Sequence, residues 1–182
     1  MSSRRFASML LGGLAFAPAA PAQASEITFG SHDIQTTFFI SKSDDRNRVD
    51  YGMRLDAACA PYGEEAVFPY WRELEKSPDR KVSLSMLDQI AFGIAEQRTI
   101  ARTETGGEYT IRLKQVDRLI EITTKKEADG TCSALTRSAV NGAQVQLVSV
   151  FAKLAGFASV DYIDVFGKDL QSGAAVTERI KK

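Results

Sequence analysis

Apolar and polar residues alternate along most of this chain. The clearest run sets Val49, Tyr51, Met53, Leu55, Ala57 and Cys59 against Asp50, Gly52, Arg54, Asp56 and Ala58, which predicts a half-buried strand with Cys59 on its inner face. Ile34 to Ser41, rich in Thr, Phe and Ile, predicts a strand before it. The polar cluster Ser43-Asp44-Asp45-Arg46-Asn47 between them predicts a hairpin loop, so the two strands should pair antiparallel. Tyr109, Ile111 and Leu113 alternate with Thr110, Arg112 and Lys114, and Leu119 to Thr124 is rich in β-branched residues; Gly106-Gly107 and Asp129-Gly130 supply turns. Val145 to Leu154 and Val160 to Phe166 are apolar at neighbouring as well as alternating positions, which predicts more deeply buried strands. Gly167 to Gly173 turns the chain into a last strand, Ala175 to Ile180. With Phe92 to Ile100 the pattern predicts about eight or nine strands in an all-β, antiparallel β-sandwich; a closed β-barrel gives the same alternation and is the alternative.

Two stretches depart from period two. Val67, Tyr70, Trp71 and Leu74 fall at helical spacing with Pro69 in a first turn, yet their aromatic content suits a strand equally well. Ser83 to Ile90 predicts one or two helical turns, with Ser83 or Ser85 as the cap.

The first 24 residues belong to another pattern. Arg4-Arg5, an apolar run from Phe6 to Ala17, and Ala22-Gln23-Ala24 make a secretory signal peptide, cleaved before Ser25. A bilayer span needs about 20 apolar residues, more than this run supplies. Phe6 follows the arginine pair directly, one position earlier than in a twin-arginine signal, so the general export route is expected, with the twin-arginine route as the alternative. The destination is the periplasm or the medium, without a membrane span.

Residues 25–182 form one domain, long enough to bury a core without help from a metal or cofactor, and no cofactor is expected. The leader holds Arg4 and Arg5 and no acid, so the remainder carries 21 Lys+Arg against 23 Asp+Glu. Without a clustered basic surface, nucleic acid is excluded as a partner. Cys59 and Cys132, an even count in an oxidising compartment, predict one disulfide. With no Cys-x-x-Cys and a single histidine, redox or metal-binding thiols are the weaker alternative.

Candidate chemistry is sparse. Any Ser-His-Asp or Cys-His apparatus must use His32, which stands among turn-forming neighbours and reads as a loop residue. Asp44, Asp45, Asn47 and Asp50 offer hard oxygen ligands suited to Ca²⁺, but without EF-hand order and with Lys42, Arg46 and Arg48 among them; a solvated hairpin tip with local ion pairs is the plainer reading. Glu64, Glu65, Glu73, Glu75 and Glu96 supply carboxylates for a glycoside hydrolase only if two converge. Tyr70-Trp71-Arg72 with Glu96 and Arg98 is the candidate binding set. Exposed, it is a platform for a sugar ring or a protein; buried, it is core aromatics edged by an ion pair, the reading the single Trp favours. Cys59, Trp71 and Cys132 are spaced as in immunoglobulin domains, but Gly130 stands where the tyrosine corner belongs and 50 residues follow Cys132, so membership is rejected.

Phe38-Phe39-Ile40-Ser41-Lys42-Ser43, Asn47-Arg48-Val49-Asp50-Tyr51-Gly52, Leu55-Asp56, Cys59, Tyr70-Trp71-Arg72 and Glu96-Gln97-Arg98, with Val160-Asp161-Tyr162, Gly167 and Glu178-Arg179-Ile180, resemble the bacterial family named domain of unknown function 4833. The resemblance runs from Ile34 to Ile180 and implies no activity, ligand or site residue. The expected function is a non-catalytic binding or interaction module of the cell envelope, its partner an envelope protein or a glycan. A carboxylate-dependent hydrolase of cell-wall or polysaccharide substrate and a structural subunit of an envelope assembly are the alternatives.

Overall fold

The computed structural model describes residues 25–77, 80–116, 118–155 and 159–181; the expected signal peptide, residues 1–24, lies outside them. Among these residues the protein is mostly β. The strands are β1 (Ile34–Lys42), β2 (Arg48–Met53), β3 (Val67–Arg72), β4 (Lys81–Ser83), β5 (Ile94–Thr103), β6 (Gly106–Leu113), β7 (Leu119–Lys126), β8 (Cys132–Val140), β9 (Ala143–Leu154), β10 (Val160–Asp169) and β11 (Ala175–Lys181), with one helix, α1 (Met86–Phe92), after β4.

All eleven strands belong to one open sheet, and β9 organises it. One edge of β9 pairs with β10, which in turn carries β11. The other edge is shared: Ala143 to Gln146 pair with β8, and Ser149 to Ala152 pair with β1. Two half-sheets, β4-β3-β2-β1 and β5-β6-β7-β8, therefore branch from the same edge and enclose one apolar core. Phe38, Val49, Tyr51 and Met53 come to it from the first half, and Tyr109, Ile111 and Ile122 from the second. The Cys59–Cys132 disulfide, with Cα atoms 5.5 Å apart, ties the halves together, as do Tyr109 Oη donating to Glu64 O (2.6 Å) and Thr136 Oγ1 donating to Thr37 O (3.2 Å). This is the predicted sandwich, and it is not closed into a barrel.

The architecture departs from the sequence reading in several places. Among the described residues there are eleven strands rather than eight or nine. β8 escaped because two of its inward residues, Thr136 and Ser138, are polar; both are buried, and Ser138 Oγ donates to Leu119 O at 3.1 Å. β4 escaped because three residues show no period. The β1–β9 ladder is parallel, a pairing between strands distant in sequence that local hairpin logic cannot reach. The strand expected to reach Cys59 ends at Met53; Cys59 is buried in the following turn at φ 60°, inside the loop closed by an isolated bridge between Leu55 and Pro61. Val67 to Arg72 is a strand, and Pro69 is tolerated because β4 pairs only with Tyr70 to Arg72.

The segment that begins at Ser25 covers an edge. Ser83 N donates to Ser25 O and Ile27 N to Lys81 O, both at 2.9 Å, and Phe29 then folds over the outer face of β2 and β3. Its ring lies 5.6 Å from that of Phe68 and 5.4 Å from that of Tyr70. Among the described residues no helix is long and apolar enough to cross a membrane.

Candidate functional site

Strand alternation divides the candidate binding set. β3 sends Tyr70 and Arg72 to the outer face of the first half-sheet and Trp71 to the inner one. On the outer face they meet Asp50, which the alternation places toward solvent but which is fully buried. Arg48 Nε donates to Asp50 Oδ1 at 2.7 Å; Arg72 Nε and Thr36 Oγ1 donate to Oδ2 at 2.6 and 2.8 Å. Tyr70 Oη donates to Gln35 O at 2.7 Å and accepts from Arg72 Nη2 at 3.1 Å. Burial pushes the Tyr70 phenol above its ordinary range. Arg48 closes the cluster by stacking on Phe39, 4.1 Å from the ring centroid. A carboxylate with two guanidinium partners and a hydroxyl donor is a fastener between β1, β2 and β3, already saturated by its neighbours.

The inner face is different. Just beyond β4, Ser85 caps α1: Asp88 N donates to Ser85 Oγ (3.2 Å) and Ser85 N to Asp88 Oδ2 (3.3 Å), a reciprocal capping box. The same Asp88 oxygen accepts Trp71 Nε1 at 3.0 Å, and the Trp71 ring meets Phe92 edge-on at 5.7 Å. At the other end of α1, Tyr51 Oη donates to Phe92 O at 2.6 Å, and Lys114 Nζ and Gly93 N donate to Gln89 O at 3.1 and 3.0 Å. These contacts hold the helix by its ends. None of its residues is buried, and Met86, Leu87 and Ile90 are 82%, 77% and 57% exposed.

Between α1 and the sheet lies a cavity of about 420 Å³. Its walls are Ile40 of β1, Val150, Ala152 and Leu154 of β9, and Val160 and Ile163 of β10, with Phe92 of α1; Lys42, Asp88 and Gln115 supply polar groups. Tyr51 also contributes to the wall, but its hydroxyl is spent on Phe92 O, and burial pushes that hydroxyl well above the usual phenol range.

The other candidates are placed elsewhere. Glu96 and Arg98 are exposed on β5, where Glu96 pairs with Arg112 across the strand at 3.6 Å. Gln97 between them turns inward and brings Oε1 to 2.9 Å from Tyr109 Oη. Of the oxygen ligands considered for Ca²⁺, Asp50 serves the two arginines, Asp45 pairs with Lys42 (3.1 Å) and accepts Asn47 N (2.9 Å), and Asn47 Oδ1 accepts Glu75 N (3.2 Å). Asp44 sits at φ 63° in the turn. Among the described residues no group of three or more His, Cys, Asp or Glu side chains is disposed to hold a metal. His32 is half-buried in the turn before β1.

Lys42, Asp88, Ala152 and their neighbours were not singled out as a site from the sequence. The one local signal was Ser85-Met86-Leu87-Asp88, a capping box that starts a helix on exposed apolar residues; the cavity walls come from strands more than 100 residues apart.

Fold and site together define an all-β domain whose open sheet is folded over a core and whose apolar cavity is covered by a short helix. The chain belongs to the family Domain of unknown function (DUF4833), whose model matches residues 38–179. The Asp50 network from Phe39 onward, α1 and every wall of the cavity named above fall within that match. No curated protein and no solved structure matches the chain.

Proposed function

We propose that this protein is an exported, non-catalytic binding module of the bacterial cell envelope, and that its seat is the cavity between α1 and the sheet. The export-type leader supports the location, and the aliphatic lining of the 420 Å³ cavity carries the reading of the seat. Its size falls within the roughly 300–1,000 Å³ typical of ligand pockets. The lining also narrows the ligand. A sugar's hydroxyls would lose water against Ile40, Val150, Leu154 and Ile163 without gaining partners, whereas hydrocarbon gains from the same walls. The protein-partner and glycan expectations attached to Tyr70 and Arg72 draw no support from residues whose polar groups bond one another.

Trp71 is the only tryptophan and packs on Phe92 at the cavity wall, so its emission reports on occupancy. Titration of the purified protein with the uncharged dye N-phenyl-1-naphthylamine should give saturable one-to-one binding with a change in Trp71 emission. Ala152→Leu, which adds three carbons into the cavity, should weaken it. Linear, unsaturable uptake that Ala152→Leu leaves unchanged refutes the seat.

A further inference from the structure

We infer that the ligand of this seat, if the reading above holds, is a single-chain amphiphile with a zwitterionic head. The interior favours hydrocarbon: its walls are mostly aliphatic, the polar side chains of the lining are those of Lys42, Asp88 and Gln115, and the Tyr51 hydroxyl is held by Phe92 O. At about 420 Å³ the space lies near the lower end of the roughly 300–1,000 Å³ range of ligand pockets, a size suited to one chain rather than two.

The rim selects the head. Lys42 and Asp88 both border the cavity, and both meet the Trp71 indole, one over its ring and the other at its N–H. The Lys42 ammonium stands 5.3 Å from the ring centroid, and Asp88 Oδ2 accepts the indole N–H at 3.0 Å. Asp45, 3.1 Å from Lys42, balances part of its charge. An anionic head at Lys42 is opposed by Asp45, which pairs with that lysine, and a cationic head at Asp88 by Lys42, which meets the same indole. A head that carries both signs and no net charge satisfies both sides. Entry falls to α1, the wall that buries none of its own residues.

The test compares three amphiphiles of one chain length, dodecylphosphocholine, dodecanoate and dodecyltrimethylammonium, each below its micelle threshold and at low salt. Binding is read from displacement of N-phenyl-1-naphthylamine and from Trp71 emission. The zwitterion should bind about fivefold more tightly than either ion, the effect of one like charge at a solvated rim. Shortening its chain should weaken binding about fourfold per methylene removed. Lys42→Gln should then move the preference toward dodecyltrimethylammonium over dodecanoate, a charge-dependent shift that loss of packing alone cannot produce. Equal affinity for the three heads, or a Lys42→Gln protein with unchanged preference, overturns the head assignment while leaving the seat in place. Indifference of all three ligands to Ala152→Leu overturns the seat and the head together. Should Ala152→Leu fail to fold, Ala91→Phe on the exposed helix gives the same reading, because Ala91 also borders the cavity.

Discussion

Removal of the Asp50 carboxylate should be among the most damaging single changes this protein can suffer, although it creates only a small cavity. In Asp50→Ala the guanidinium groups of Arg48 and Arg72, with side chains 27% and 17% exposed, lose the anion that each contacts within 2.7 Å. Thr36 Oγ1 loses its acceptor as well. Breaking a buried ion pair by deleting one partner costs about 3–5 kcal/mol, since the remaining charge stays desolvated. The partial exposure of both arginines places this case toward the lower end, about 3 kcal/mol. For a domain of this size that lowers the melting temperature by about 6–12 °C. Urea unfolding followed by Trp71 emission, with thermal unfolding by circular dichroism, measures both. Asp50→Asn, which keeps an acceptor and loses the charge, should fall between wild type and Asp50→Ala. The triple change Arg48→Met, Asp50→Leu, Arg72→Met removes both signs together and should recover most of the loss, because Tyr70 Oη keeps Gln35 O as its acceptor. A loss below about 1 kcal/mol in Asp50→Ala would show that water solvates these charges as it does a surface pair, and the fastener reading would be wrong.

Other consequences follow from the same structure. Reduction of Cys59–Cys132, or Cys→Ser at both positions, should destabilise the fold by about 4 kcal/mol in the chain-entropy model for a separation of 73 residues, measured as a shift in urea midpoint with and without reductant. A Cβ on Gly52 would stand 2.9 Å from Phe29 Cε1, 3.1 Å from Phe68 Cζ and 3.2 Å from Gln35 O, so Gly52→Ala should cost about 1–3 kcal/mol. Phe29→Ala in that background should return part of the loss, and strict additivity of the two changes in a double-mutant cycle would deny the contact. Acid should destabilise the β10–β11 side. Arg179, donating through two nitrogens at 2.7 Å each, holds the Asp164 carboxyl below its usual range, and Arg118 with Asn141 N does the same for Glu178. Both groups bind protons more weakly in the folded chain than in the unfolded one. Their contribution is therefore present above the unfolded values near pH 4 and is lost as pH falls through the lower folded values. Asp164→Asn should flatten that part of the stability profile, and an unchanged acid limb would remove Asp164 from the account.

Much of the fold was legible because a strand buried on one face writes itself as period two. Val49 to Met53, Tyr109 to Leu113 and Val160 to Phe166 all lie within strands of the structure, and the disulfide partners were readable from their even count. A helix capped by Ser83 or Ser85 was readable because capping is a contact between residues three apart, and the structure uses Ser85. β8 was not, since its inward Thr136 and Ser138 satisfy their hydroxyls on distant carbonyls and so carry no hydrophobic signal.

The candidate site divides along the same line. Tyr70, Trp71 and Arg72 were visible as an aromatic and charged cluster, but consecutive residues of a strand face opposite ways. Register across β1, β2 and β3 then decided that Tyr70 and Arg72 join Asp50 and that Trp71 joins α1. The burial of Asp50 follows from Thr36, Arg48, Tyr70 and Arg72 converging on it, a relation between strands that alternation within one strand cannot express. Local pattern, set by each strand's own two faces, determined the class of fold and the existence of most of its elements, though not of β4 or β8. Only the tertiary structure decided the open branching at β9, the parallel β1–β9 ladder and the helix-covered cavity, because each is made by segments that meet in space after long loops have closed.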